Sequence, residues 1–302
     1  MKKTWIGIVV STLVLALLAG CGGANEPKDP ASPPAEQPAT TTPEKTVDNE
    51  TTGLADGAYY AEGEYSEKSG WKEVVALTVE GGKITKVDWN ALYKDGGLDK
   101  KTSSKTGAYG MVANGNAQAE WDEQAAKMEA YLIAEQSADG LNLNDEGKTD
   151  AVSGVSIGVE GFSELVNKAL AAGPTEVGPY KDGTYRAEAA EFAESSGWKE
   201  NVTVTVINGK IAAVSWNGEH KDGGTDKVTR SASGEYGMVA NGGAQAEWHE
   251  QAHNAEQYLL EVQDPAKIVY RAEDGKTDAI AGVSIHVNSF VELAQEALAS
   301  AK

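Results

Sequence analysis

The chain has 302 residues and a net charge of −20, from 26 Lys+Arg against 46 Asp+Glu. At roughly 100–200 residues per domain the length allows two domains, and the acidity excludes nucleic acid and disfavours anionic membrane surfaces, both of which need clustered cations. A hydrophobic fraction of 40% serves packed cores rather than a polytopic membrane protein, and the single cysteine, Cys21, excludes an intramolecular disulfide or a Cys-based metal cluster.

The chain begins with Lys2 and Lys3, followed by an apolar run over 6–18 and then Leu18-Ala19-Gly20-Cys21. The run is short for a membrane span and its flanks fit an export signal. Leu-Ala-Gly-Cys resembles the bacterial lipobox. That resemblance implies a signal peptide over 1–20, cleavage before Cys21 and a diacylglyceryl group on its thiol, so that the protein is anchored to the outer face of the cell membrane. Six of the nine prolines follow, between Pro27 and Pro43, among Thr, Ala and Glu without apolar periodicity. Such a composition reads as a semi-extended spacer, here 21–54. About thirty residues at roughly 3 Å each span some 90 Å, enough to hold an acidic body off the membrane.

The rest is one sequence written twice. Ser69-Gly70-Trp71-Lys72-Glu73 recurs as Ser196-Gly197-Trp198-Lys199-Glu200, and Lys94-Asp95-Gly96-Gly97 as Lys221-Asp222-Gly223-Gly224. Tyr-Gly-Met-Val-Ala-Asn-Gly stands unchanged at 109–115 and 236–242. So long a period means tandem domains, since solenoid repeats run roughly 20–50 residues. The expected boundaries are 55–172 and 181–302, joined by a Gly/Pro-punctuated linker over 173–180.

Within each copy, 73–80 and 200–207 alternate in strand fashion. Gly81-Gly82 and Asn208-Gly209 then form hairpin turns into strands 83–89 and 210–216. Residues 117–136 and 244–263 carry helical periodicity, with Trp121, Ala125, Met128 and Leu132 on one stripe. Residues 150–157 and 278–285 are short and β-rich. A helix closes each copy; in the first, Val159, Phe162, Leu165, Val166, Ala169 and Leu170 form its apolar stripe. Strands and helices do not alternate regularly, so the fold class is α+β.

The segments Asp150-Ala-Val-Ser-Gly-Val-Ser156 and Asp278-Ala-Ile-Ala-Gly-Val-Ser284 place a Gly-containing turn and a hydroxyl just before the closing helix. Small residues let a bulky ligand approach the backbone, and a helix N-terminus favours a phosphate. The plain structural reading of the same pattern is a turn with Ser as helix N-cap. The segments resemble the signature of the FMN-binding domain family, as in the flavin-carrying subunit of sodium-pumping quinone reductase: Asp, two residues, Ser/Thr, Gly/Ser, Ala, then Thr or Ser. In that family a flavin transferase esterifies FMN onto the last hydroxyl, using FAD and a divalent metal. The resemblance makes Ser156 and Ser284 the acceptors, with Asp150, Asp278, Gly154 and Gly282 as the accompanying signature residues. Val155 and Val283 depart from the usual Ala, and Ala281 replaces the small hydroxyl residue of the second copy.

The whole layout is similar to the flavinylated lipoproteins of Gram-positive extracellular electron transfer. It implies a carrier without acid, base or nucleophile of its own, since the isoalloxazine does the redox work. Electrons would come from membrane quinone or an NADH dehydrogenase and pass to ferric iron or an extracellular reductase. The signal peptide of such lipoproteins also yields a peptide pheromone in some cases. The rival reading is a surface binding or adhesion lipoprotein without flavin. Trp71, Trp89, Tyr109 and Trp121, with Trp198, Trp216, Tyr236 and Trp248, are candidate ring neighbours; for each, core packing is the plainer reading. His249 and His253 have the i, i+4 spacing of a zinc pair, but no third ligand is evident. Asp95 and Asp99, or Asp222 and Asp226, flank a Gly-Gly turn that reads as solvated more readily than as a calcium loop. Thr149 and Thr277 are alternative hydroxyls out of register with the signature.

Overall fold

The computed structural model describes residues 53–302. The signal, Cys21 and nearly all of the proline-rich spacer lie outside the described residues. The described residues form one compact unit of mixed α and β structure. None of its helices is long and apolar enough to cross a membrane.

In the first copy, β1 (Gly57–Glu62), β2 (Trp71–Glu80) and β3 (Lys83–Tyr93) make an antiparallel sheet in that order. Four helices follow: α1 (Lys100–Lys105), α2 (Met111–Gly115), α3 (Trp121–Glu135) and α4 (Glu160–Ala172). The second copy repeats the plan with β4 (Gly183–Glu188), β5 (Trp198–Ile207), β6 (Lys210–His220), α5 (Lys227–Ala232), α6 (Met238–Gly242), α7 (Trp248–Val262) and α8 (Asn288–Ala299). The hairpin turns need two successive residues in the left-handed region: Gly81 and Gly82 have φ of 61° and 75°, Asn208 and Gly209 of 52° and 71°. That is the backbone of the tight primed turns that Gly and Asn favour.

The two faces of the first sheet have different partners, which explains the nearly continuous apolar run of β2. Val75, Leu77 and Val79 point into a core with Trp121, Met128, Leu132, Phe162 and Val166. Val74 and Ala76, on the opposite face, pack with Leu92 and with Ile207 and Ala213 of the second copy. The second copy has its own core around Val202, Val204, Trp216, Leu259 and Phe290. The expected stripes on α3 and α4 are the buried ones.

The linker is stitched to the second hairpin: Gly178 N–H donates to Asn208 O at 3.0 Å and Tyr180 N–H to Gly209 O at 3.2 Å. Gly178 lies so close to Gly209 that a side chain would strike its carbonyl.

Two expectations need correction. Residues 150–157 and 278–285 are turns and loop, with no strand. The closing helices begin at Glu160 and Asn288, with Val159 and Val287 at the N-cap. Ser156 and Ser284 are therefore not N-caps and stand short of the helix N-terminus.

Candidate functional site

The signature residues lie at the surface, on a turn held from beneath by the long helix. Asp150, Gly154 and Ser156 are exposed, as are Asp278, Gly282 and Ser284. Gly154 and Gly282 both have φ of 75°, a conformation that strains any residue with a Cβ. This turn reverses the chain so that the next backbone N–H groups face inward.

What those groups meet is a glutamine that the sequence reading missed. Gln124, 1% exposed, sits on the buried stripe of α3. Its Oε1 accepts from Ser156 N–H at 2.7 Å, Ser156 Oγ at 3.3 Å and Ile157 N–H at 3.3 Å. Its Nε2 donates to Ala119 O at 3.0 Å. Gln251, also 1% exposed, repeats the arrangement with Ser284 N–H at 2.7 Å, Ser284 Oγ at 3.1 Å, Ile285 N–H at 3.2 Å and Ala246 O at 2.9 Å. The amide orients the hydroxyl and, being neutral, cannot take its proton.

The alternative hydroxyls are committed elsewhere. Thr149 is buried, donates to Leu141 O and accepts from Ala151 N–H at 3.0 Å. Thr277 is buried likewise and donates to Val269 O at 2.7 Å. They pin the turn and present no free oxygen.

The surroundings of the two serines differ in charge. Lys127 Nζ donates to Gly154 O at 3.1 Å, placing an ammonium beside the first turn. Asn254 lies against Gly282 in the second copy. Asp278 is paired with Arg271 at 3.1 Å, across an exposed bridge.

The aromatic residues are mostly occupied. Trp89 and Trp216 are fully buried, and Trp121 and Trp248 nearly so. Trp89 packs on Trp121 and Phe162 with ring centroids 5.1 and 4.9 Å apart. Trp71, Tyr109 and Trp121 surround the Lys100 ammonium, 5.6, 5.0 and 4.8 Å from their ring centroids. Trp198, Tyr236 and Trp248 do the same for Lys227, which pairs with Glu200 at 2.6 Å. Burial lowers the pKa of both lysines, opposed by Glu73 and Glu200 respectively. Six of the eight rings thus surround a buried cation, three in each copy.

Three further candidates resolve into structural roles. Asp99 is a buried helix N-cap that accepts from Thr102 N–H at 3.0 Å, Asn90 Nδ2 at 2.8 Å and, across the copies, Thr205 Oγ1 at 2.6 Å. Asp226 caps α5 in the same way. Asp95 and Asp222 are exposed turn residues. His249 Nδ1 meets Ser231 Oγ at 3.0 Å. Among the described residues no group of three or more His, Cys, Asp or Glu side chains is placed to hold a metal, so neither the zinc pair nor the calcium turn is assembled.

The Tyr-Gly-Met-Val-Ala-Asn-Gly blocks form α2 and α6, each entered through a left-handed glycine. Glu120 accepts from Met111 and Val112 N–H at 2.7 and 3.0 Å while forming the capping box of α3 with Glu123. The block is thereby locked to the start of the helix that carries Gln124. Val112 and Val239, 45% and 46% exposed, project from it.

No family model and no curated protein matches the chain. Two solved structures are similar to part of it. A Clostridium thermocellum protein solved by NMR in solution is 59% identical, over 40% of this chain and 91% of that one, with a TM-score of 0.33. A Clostridium perfringens protein solved by crystallography is 24% identical, over 40% of this chain and 88% of that one, with a TM-score of 0.32.

Proposed function

We propose that the chain is an extracellular, lipid-anchored electron carrier whose two copies, 55–172 and 181–302, are tandem FMN-binding-type domains. Ser156 and Ser284 would each hold FMN through a phosphoester. The observation that carries this reading is the recurrence, in both copies, of an exposed serine whose Oγ and N–H are both held by a buried glutamine. The glutamine oxygen satisfies the backbone N–H groups of the turn and reaches the serine Oγ as well, so the turn and its hydroxyl are held in one fixed place at the surface of each copy.

The residues present fit the group. The hydroxyls belong to exposed serines accessible to an external transferase, and each follows a left-handed glycine. Lys127 would balance phosphate charge in the first copy. Asn254 offers only a neutral amide in the second. Bound there, FMN would supply the redox chemistry, taking electrons from a membrane quinone or NADH dehydrogenase system and delivering them to ferric iron or an extracellular reductase. The protein residues bind and orient: Gln124 and Gln251 hold the acceptor oxygens, Thr149 and Thr277 pin the turns, and Asp150 and Asp278 offer exposed carboxylates to the metal of the transferase. The lipidated Cys21 would anchor the body, and the leader peptide, once cleaved, would be free to act as a pheromone.

Coexpression with a flavin transferase, followed by intact mass and peptide mapping, tests this. The expected product carries two FMN additions; Ser156→Ala removes one, Ser284→Ala the other, and the double variant both. A colourless product refutes the reading and favours a surface binding protein without flavin; flavin retained by the double variant refutes the assignment to Ser156 and Ser284.

A further inference from the structure

Where the copies meet there is a cavity of about 780 Å³. One wall is Trp71, Tyr93 and the Asp95-Gly96-Gly97 turn of the first copy. The other is formed by β6, α5 and α7 of the second, and the cavity belongs to neither serine turn.

The internal repeat provides a control for reading it. In the first copy, Asp88, Lys101 and Glu129 form a cluster: Lys101 Nζ pairs with Asp88 and, at 2.5 Å, with Glu129 Oε1. Glu129 Oε1 also accepts from Trp89 N–H at 2.7 Å. The corresponding residues of the second copy are Ser215, Val228 and Glu256. Glu256 keeps the equivalent bond, from Trp216 N–H at 2.6 Å. It is 5% exposed and has lost the cation. Ser215, Val228 and Glu256 all line the cavity. Shortening Lys to Val and Asp to Ser leaves space beside the remaining carboxyl.

We propose that this cavity binds a primary alkylammonium ion, its –NH₃⁺ standing at Glu256 as the Lys101 ammonium stands at Glu129, and its alkyl chain lying between Trp71 and the face of α7. An unpaired buried carboxyl is costly, and a cation that supplies its missing hydrogen bonds offsets that cost. His253 Nδ1 is enclosed in the same wall without a hydrogen-bond partner, and in its Nε2–H tautomer it is a second acceptor for a donor-rich group. The groups lining the cavity with Glu256 are His249, Glu250, His253 and Asn254 from α7, Ser215 and Asn217 from β6, Val228 from α5 and Asp95 from the opposite turn. None is a lysine or arginine, and both remaining charges are negative. The differences between the copies concentrate here too: His249, His253 and Asn254 stand where the first copy has Asp122, Ala126 and Lys127.

Burial pushes the Glu256 carboxyl up to about 8. At neutral pH it is mostly protonated, so a bound ammonium expels that proton: carboxylic acid plus cation becomes an ion pair plus H⁺. Affinity therefore rises about tenfold per pH unit below the carboxyl pKa and levels off above it.

The test is calorimetric titration of the full chain with n-butylammonium, and with n-butanol as the uncharged probe of the same shape, in amine-free buffers across that pH range. One saturable site is expected for the ammonium, with no comparable binding of butanol. Glu256→Gln, which keeps the size and the Trp216 bond, should weaken binding at least tenfold. Val228→Lys, which restores a tethered ammonium, should abolish it. Equal binding of the alcohol, affinity independent of pH, no saturation, or Glu256→Gln binding within about twofold of the parent each overturns the proposal. Unfolding curves of both variants guard against loss through misfolding.

Discussion

Glu256 makes a quantitative test of the fold itself. Its carboxyl is enclosed beneath β6 with one backbone donor, and burial raises its pKa from the ordinary 4.5 to about 8. A raised carboxyl stabilises the folded state below its unfolded value, and that contribution is lost as pH climbs through the folded one. The gap from 4.5 to about 8, at roughly 1.4 kcal/mol per pH unit, sets a ceiling of about 5 kcal/mol on the loss. Glu256→Gln retains an oxygen for Trp216 N–H and removes the charge. Parent and variant should match near pH 4.5, diverge in favour of the variant as pH rises, and stay separated by about 3–5 kcal/mol above pH 8. For a unit of this size that is a melting difference of roughly 10 °C. Urea unfolding followed by tryptophan fluorescence, in buffers free of amines, measures it. A difference between parent and variant that stays flat from pH 5 to 9 would show that Glu256 is compensated by a partner or by water.

Three other substitutions separate the remaining roles. Gln124→Leu leaves two backbone N–H groups and the Ser156 hydroxyl without their acceptor; it should cost about 1–3 kcal/mol and lower flavin loading of the first copy alone, read by unfolding and peptide mass. Lys101→Met strands the Asp88 and Glu129 carboxylates together and should destabilise by about 3–5 kcal/mol in denaturant, with Glu129→Gln recovering part of the loss. Cys21→Ser should release the protein from membranes, seen by fractionation after salt washing, with its unfolding curve unchanged.

The repeat, both hairpins and the long helices were legible because their signals are local. Gly81-Gly82 and Asn208-Gly209 satisfy a demand for positive φ, and Trp121, Ala125, Met128 and Leu132 recur at helical spacing. The short helices α1 and α2 were not legible. Lys-Lys-Thr-Ser-Ser-Lys has no apolar stripe, and it is helical because Asp99 caps it and Asn90 on β3 holds that cap. The turns at 150–157 and 278–285 read as β because Val, Ile and Ser dominate them. Their backbone is satisfied instead by Gln124 and Gln251, more than thirty residues upstream. A signal for those glutamines was present: each lies three residues after a tryptophan and just before an alanine, on the buried side of the helix, in both copies. A polar residue on an apolar stripe in two copies invites a search for its partner.

The two copies share one hydrogen-bond arrangement at their serine turns but diverge where they face each other, and this predicts what cutting them apart removes. Each has a core of its own, with Trp216, Leu259 and Phe290 buried in the second. Residues 181–302 alone should therefore fold and accept one FMN at Ser284. Separation at 181 uncovers Ile207 and Ala213, takes Asp99 from Thr205 and removes Tyr180 from the second core, which should lower stability by roughly 2–5 kcal/mol in urea. It also removes Trp71, Tyr93 and the Gly96 turn, one whole wall of the cavity. Glu256 then gains access to water, so its pKa should fall toward 4.5 and the advantage of Glu256→Gln at high pH should shrink. The isolated copy should bind n-butylammonium at least tenfold more weakly than the full chain while keeping its serine chemistry. Alkylammonium binding that survives the cut at full strength would place the site within one copy and refute a cavity built by two.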